Sequence, residues 1–261
     1  MYDLSALEAA FARSIYSGKF HYTAVTASTN TDALAAAREG APHGSVFFAD
    51  EQTAGRGRGD HNWQSAAGQG LYVSVILRPS IAVENMPLIP LAAGLAAAQA
   101  IGIATALEVD LRWPNDLLIG DRKVGGILVE SKTESGVPAF AVVGIGINVH
   151  QRSFDANLST PATSLELELR RTLSRQALLI SLLESLQHET WALQEPGLLA
   201  AIPARVAFMS TWVSNRRVEV HGPQSCVGVT AGLDQHGFLL VQTDTGTVTV
   251  QTGGIRAANS E

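Results

Sequence analysis

Apolar and polar positions along this chain follow two rhythms. From Phe20 onward, short apolar runs at Val46–Phe48, Leu71–Leu77, Ile127–Val129 and Ala141–Ile147 read as strands, while Thr31–Glu39 and Pro87–Ile103 have helical spacing. The plan is a mixture of sheet and helix. Gly120–Asp121 makes a tight turn between Leu117–Ile119 and Val124–Val129, which predicts an antiparallel hairpin with Lys123 just past its turn. Thr163-Ser-Leu-Glu166 is a capping-box pattern, and Arg175 to Leu193 repeats apolar residues at helical spacing, so this region predicts helical cover. The first twenty residues have room for one amphipathic helix but not for the three helices of a helix-turn-helix module. After Arg205 the text changes to short alternating segments, Arg217–Val220, Val227–Ala231, Phe238–Thr243 and Thr247–Gln251. These predict a separate small β-barrel, dividing the chain into 1–205 and 206–261.

Composition narrows the class. Of 261 residues, 46% are hydrophobic and 16% charged, which fits a globular enzyme and excludes a disordered or fibrous chain. A net charge of -6 and a pI near 5.6 argue against nucleic-acid binding, which needs a basic face. The lone Cys226 excludes a disulfide framework and a cysteine-rich metal site, favouring a reducing compartment. Asp3 and Glu8 stand where a signal peptide needs a basic and then an apolar region, so a cytoplasmic location is expected. The stretch from Asn85 to Leu107 is uncharged and long enough to span a bilayer. It is rich in Ala and Gly, contains Pro87, Pro90 and Gln99, and is flanked by Glu84 and Glu108 in place of basic anchors. A buried core helix, and no membrane partner, is the expectation.

Five stretches carry candidate chemistry. In Asp50-Glu-Gln-Thr-Ala-Gly-Arg-Gly-Arg-Gly59, Gly55, Gly57 and Gly59 let backbone N–H groups surround an anion, and Arg56 and Arg58 supply planar cationic forks for phosphate. A solvated loop or an RNA-binding Gly-Arg tract has the same residues, and neither a Walker loop nor a dinucleotide fingerprint is present. In Leu111-Arg-Trp-Pro-Asn-Asp116, Pro114 ends a strand and leaves Asn115 and Asp116 at a loop mouth, with Asp116 a candidate magnesium ligand. Lys123-Val-Gly-Gly-Ile-Leu-Val-Glu130 follows. Lys123 alone reads as an ordinary hairpin lysine, but Gly125 and Gly126 weaken a strand unless a ligand or another backbone comes close. Val142-Val-Gly-Ile-Gly-Ile-Asn148 repeats that device at Gly144 and Gly146, and Asn148 offers both donor and acceptor. Finally, Ser28-Thr-Asn-Thr-Asp32 opens a helix, Thr29 and Asp32 matching a capping box, with hydroxyls and an amide suited to a neutral polar ring.

In order and spacing, Ser28-Thr-Asn30, Glu51-Gln-Thr-Ala-Gly-Arg-Gly-Arg58 with Trp63, Arg112-Trp-Pro-Asn-Asp116, Lys123 to Glu130 and Gly144-Ile-Gly-Ile-Asn148 resemble the biotin protein ligases, in the form without a DNA-binding domain. The resemblance covers about residues 20–205, and Gly232 to Leu240 is similar to the family's C-terminal barrel. It implies an α+β fold: a mixed sheet flanked by helices, like the class II aminoacyl-tRNA synthetases, followed by an SH3-like barrel. It further implies ATP-dependent formation of biotinyl-AMP and transfer of biotin to a lysine of the biotin carboxyl carrier protein of acetyl-CoA carboxylase or a related enzyme. Mg²⁺ accompanies ATP, and the expected assembly is a monomer or weak homodimer. Carried over by residue, Ser28, Thr29, Asn30, Gln52, Gly55, Arg56, Gly125, Gly126 and Leu128 surround biotin, and Lys123 meets its carboxylate. Arg56, Gly57, Arg58, Trp63, Asn115 and Asn148 face the nucleotide, Asp116 the metal, and Lys123, Arg56 and Arg58 are the catalytic cations. The sequence departs from the family after Arg58, where Asp60-His61-Asn62 precede Trp63 and a loop cation is missing. A lipoate or octanoate ligase and a biotin sensor are the rival readings.

Overall fold

The computed structural model describes residues 2–59 and 61–258. A short helix α1 (Leu4–Ala10) leads to strand β1 (Phe20–Thr26), helix α2 (Thr29–Arg38), and strands β2 (Val46–Gln52) and β3 (Gly70–Leu77). Helix α3 (Leu88–Thr105) precedes β4 (Asp110–Arg112), β5 (Asp116–Ile119), β6 (Arg122–Glu134) and β7 (Val137–Asn148). Helices α4 (Leu165–Leu169), α5 (Arg175–Ala192) and α6 (Pro196–Met209) follow, and strands β8 (Ser214–His221), β9 (Cys226–Leu233), β10 (Leu239–Thr243), β11 (Gly246–Val250) and β12 (Gly254–Ala257) complete the fold.

The first seven strands form one mixed sheet in the order β1-β2-β3-β7-β6-β5-β4, in which only β1 and β2 run parallel. Its two faces follow from the period-two alternation of strand side chains. Leu71, Val73, Val75 and Leu77 of β3, with Val143, Ile145 and Ile147 of β7, join the large core that includes α3 and α5. Ile76, Phe140 and Val142 point the other way and pack under Ala33 and Ala37 of α2. The same second face carries Ser74, Gly144 and Gly146. Beyond the end of α2 it becomes the floor of a cleft.

Most of α3 is buried, including Leu88, Leu91, Leu95 and Ile101, so its uncharged sequence reflects a core position. The last five strands make an antiparallel sheet in the order β11-β10-β9-β8-β12. Its apolar side chains Val218, Val220, Leu239, Val241 and Ile255 join the core cluster of the first sheet.

Several local expectations are corrected. The amphipathic helix expected over the first twenty residues is only the seven-residue α1. The division after Arg205 falls inside α6, where Arg205 is paired with buried Glu189 of α5. The N-cap position of α2 is Ser28, not Thr29. Asp32 accepts from the Thr26 hydroxyl at 2.6 Å in place of completing a capping box. Likewise Ser164, not Thr163, caps α4, while the Thr163 hydroxyl donates to Glu168.

Candidate active site

The cleft, of about 1070 Å³, runs over the exposed end of β3, β7 and β6 and reaches the second sheet at Gly253 and Arg256. Its floor is a chain of buried polar groups. Thr29 donates its N–H to Gln52 Oε1 at 2.9 Å, and its hydroxyl lies 2.8 Å from Ser74 Oγ. Ser74 donates to Asn30 Oδ1 at 2.6 Å, and Asn30 Nδ2 donates to Glu130 at 3.0 Å and to the Leu128 carbonyl at 3.4 Å. Gln52 Nε2 donates to Ser65 Oγ at 2.7 Å. Each group is thereby oriented as well as satisfied, the condition for a polar floor to be stable in a buried place.

The glycine faces, expected to admit a ligand or another part of the chain, are filled by side chains of the protein. A Cβ on Gly144 would lie 2.1 Å from Asn30 Oδ1, and one on Gly146 would lie 2.6 Å from the indole nitrogen of Trp63. Gly126 also faces Trp63. The glycines therefore allow Asn30 and Trp63 to lie flat against the sheet and line the cleft themselves. The buried Trp63 Nε1 has no hydrogen-bond partner among the described residues. Gly125 is packed against Leu117 and the Gly146 carbonyl, and Gly55 beneath the Trp63 carbonyl, so neither faces the cleft.

The Gly-Arg segment folds back on itself. Trp63 N–H donates to the Gly55 carbonyl at 2.9 Å, and Gly57 N–H donates to the His61 carbonyl at 2.7 Å. Asn62 pairs with Arg56, while Asp60 lies outside the described residues. The Arg56 fork makes a bidentate pair with Glu130, at 3.0 and 2.5 Å, so in this arrangement its charge faces a carboxylate. Arg58 reaches across the cleft, donating to the Gly253 carbonyl at 2.7 Å and to Asn115 Oδ1 at 3.3 Å. Burial lowers its pKa, opposed by the nearby charge of Asp116.

At the other wall Lys123 Nζ lies 2.5 Å from Asp116 Oδ1, and Arg112 approaches Oδ2 at 2.5 Å. Burial disfavours the charged carboxylate, but the two cations outweigh it and hold the Asp116 pKa below its ordinary value. Both oxygens of Asp116 are engaged by these cations. Among the described residues no cluster of three acidic, histidine or cysteine side chains is formed. Asn115 Nδ2 donates to the Ile127 carbonyl and Asn148 Nδ2 to the Thr163 carbonyl, so both expected nucleotide contacts also brace loops.

Ser28, Gln52, Gly57, Leu128 and the other expected residues apart from Gly55 and Gly125 come together here. The sequence reading missed Ser74, Glu130 and Arg112. Ser74 had a signal: it is the sole hydroxyl between apolar neighbours in Leu71–Leu77 except for Tyr72.

Residues 22–148 match the biotin/lipoate A/B protein ligase family. Over 240 residues the chain is 35% identical to the biotin–[acetyl-CoA-carboxylase] ligase of Mycobacterium tuberculosis, covering 89% of this chain and 86% of the relative. It is 42% identical over 146 residues to the bifunctional ligase/repressor BirA of Bacillus spizizenii, covering 55% of this chain and 45% of that protein. The chain thus spans less than half the length of that longer relative. The biotin protein ligase of Aquifex aeolicus in complex with biotin and ATP superposes with a TM-score of 0.79 at 26% identity, covering 93% of this chain and all of the other. With its cleft built from the same segments that carry the sequence resemblance, the chain belongs to the biotin protein ligases of the biotin/lipoate A/B protein ligase family.

Proposed function

We propose that this protein activates biotin with ATP and transfers it to a lysine of the biotin carboxyl carrier protein of acetyl-CoA carboxylase or a similar carrier. The observation that carries the reading is the meeting, in one cleft, of the neutral polar floor at Thr29, Asn30 and Gln52 with the cations Lys123 and Arg58. A ureido ring presents neutral donors and acceptors, which the floor matches. The acid at the other end of biotin needs positive charge, which Lys123 supplies.

In the first step a biotin carboxylate oxygen attacks the α-phosphorus of ATP, forming the acyl-phosphate bond of biotinyl-AMP as pyrophosphate leaves. Two anions meet, so preplaced cations lower the barrier most. Lys123 faces the carboxylate and Arg58 the phosphate, while Arg56 holds the loop to Glu130. Magnesium enters as the counterion of ATP, part of the substrate. In the second step the neutral carrier amine attacks the acyl carbon, AMP leaves and the amine loses its proton. A cytoplasmic site of action fits the lone free Cys226.

Biotin-dependent exchange of labelled pyrophosphate into ATP tests the reading, with lipoate alongside. Exchange with biotin and not lipoate is expected. Exchange with lipoate alone makes the protein a lipoate ligase, and exchange with neither removes the adenylating function.

A further inference from the structure

One junction between the second sheet and the catalytic wall runs through Trp212. Ser210 Oγ donates to the Leu111 carbonyl at 2.5 Å, and the N–H and hydroxyl of Thr211 both donate to Asp110, at 2.9 and 2.5 Å, so the segment after α6 is fastened to β4. Trp212, almost wholly buried, comes next. The Arg216 guanidinium of β8 lies over its ring at 3.5 Å, and that of Arg112 at 5.3 Å. Arg112 also donates to Thr160 at 2.9 Å and to Asp116 through both Nε and a terminal nitrogen. Asp116 in turn holds Lys123.

We infer that Trp212 is a positioning residue for adenylation, acting through Arg112 and Asp116 on the placement of the Lys123 ammonium. The physical reason is competition. A carboxylate shared by two cations holds each less tightly than it would hold one, and the balance depends on where the second cation sits. The indole face fixes Arg112 by cation–π attraction, which is stronger in a desolvated place. With that face removed, Arg112 swings from Asp116, and the carboxylate closes fully on Lys123, drawing its charge from the reacting oxygen. The inference rests on the proposed biotin-activating function.

The test measures biotin-dependent pyrophosphate exchange and equilibrium biotin binding for the unmodified chain and for Trp212→Leu, Trp212→Phe, Arg112→Gln and the Trp212→Leu/Arg112→Gln double variant. Trp212→Leu is expected to lower kcat roughly five- to thirty-fold, the range of a buried cation–π contact, with the KM for biotin changing less than about two-fold. Trp212→Phe, which keeps an aromatic face, recovers most of the rate. In the Arg112→Gln background Trp212→Leu adds nothing further, because its route is already cut. Equal factors with and without Arg112, or a full rate in Trp212→Leu, overturn the inference while leaving the ligase reading intact. Should Trp212→Leu not fold, a Trp212→Phe rate as low as that of Arg112→Gln overturns it. Absence of exchange in the unmodified chain overturns both.

Discussion

Lys123 and Asp116 show how one ion pair constrains both chemistry and stability. Lys123→Ala removes the point charge next to the reacting carboxylate, and the single-turnover rate of adenylate formation is expected to fall about 10²–10³-fold, as for loss of one preorganised electrostatic donor. An undiminished rate in rapid-quench measurements would falsify its role. Asp116→Asn acts on the fold as well, since it leaves Arg112 and Lys123 near one another without their shared anion. A carboxyl whose pKa is lower in the folded chain stabilises the fold above its unfolded value, and that contribution vanishes as pH falls through the folded value. Asp116 is such a group, so its contribution is complete at neutral pH. Denaturant unfolding at pH 7 is expected to find the Asn variant about 3 kcal/mol less stable, with the gap narrowing below pH about 4. A gap that does not change over that range means the ion pair contributes nothing through its charge. At this scale the sequence was legible where a residue's type is unusual for its place, as with Lys123 beside paired glycines or Asn30 at a helix start. Glu130 was not legible: its partner Arg56 lies 74 positions away, and nothing local distinguishes it from a strand-end carboxylate.

Elements were readable in proportion to how completely one face is buried. β3 is buried at all eight positions and stands out as an apolar run interrupted by Ser74. β1, exposed at four of seven positions on the sheet edge, and the four-residue β12 offered no comparable pattern. Capping residues were misplaced by one because Ser and Thr adjoin at both helix starts, and at α2 the choice between them depends on partners such as Gln52. One element end also gives a prediction. Helix α3 finishes on Ala106 in the left-handed region, φ +61°, and exposed to solvent. Ala106→Gly removes the Cβ penalty there and is expected to stabilise the chain by about 0.5–1 kcal/mol, read as a higher Tm in calorimetry. A lower Tm shows that the loss of chain entropy in glycine outweighs it. Within β7, Gly144→Ala is expected to displace Asn30 and weaken biotin binding at least about ten-fold, corresponding to about 1.4 kcal/mol, in titration calorimetry. Unchanged affinity means that Asn30 does not touch the ligand.

At the scale of the whole molecule the two sheets share one apolar core. Gly237, in the turn before β10, sits where a Cβ would be 2.5 Å from Leu91 of α3, and its carbonyl accepts the indole N–H of Trp113 at 3.0 Å. Heat is therefore expected to unfold both sheets in a single transition whose calorimetric and van't Hoff enthalpies agree. Two resolved transitions mean that the second sheet is an independent unit. The change of composition near residue 205 marks a change of secondary structure and carries no information on shared packing. The bond from Arg58 to the Gly253 carbonyl extends the same continuity to the mouth of the cleft. Its consequence lies in hydrogen exchange. The amide of Gly57, held to His61 in that loop, exchanges through openings of the distant sheet as well as through its own, so loosening the sheet also loosens the mouth of the site.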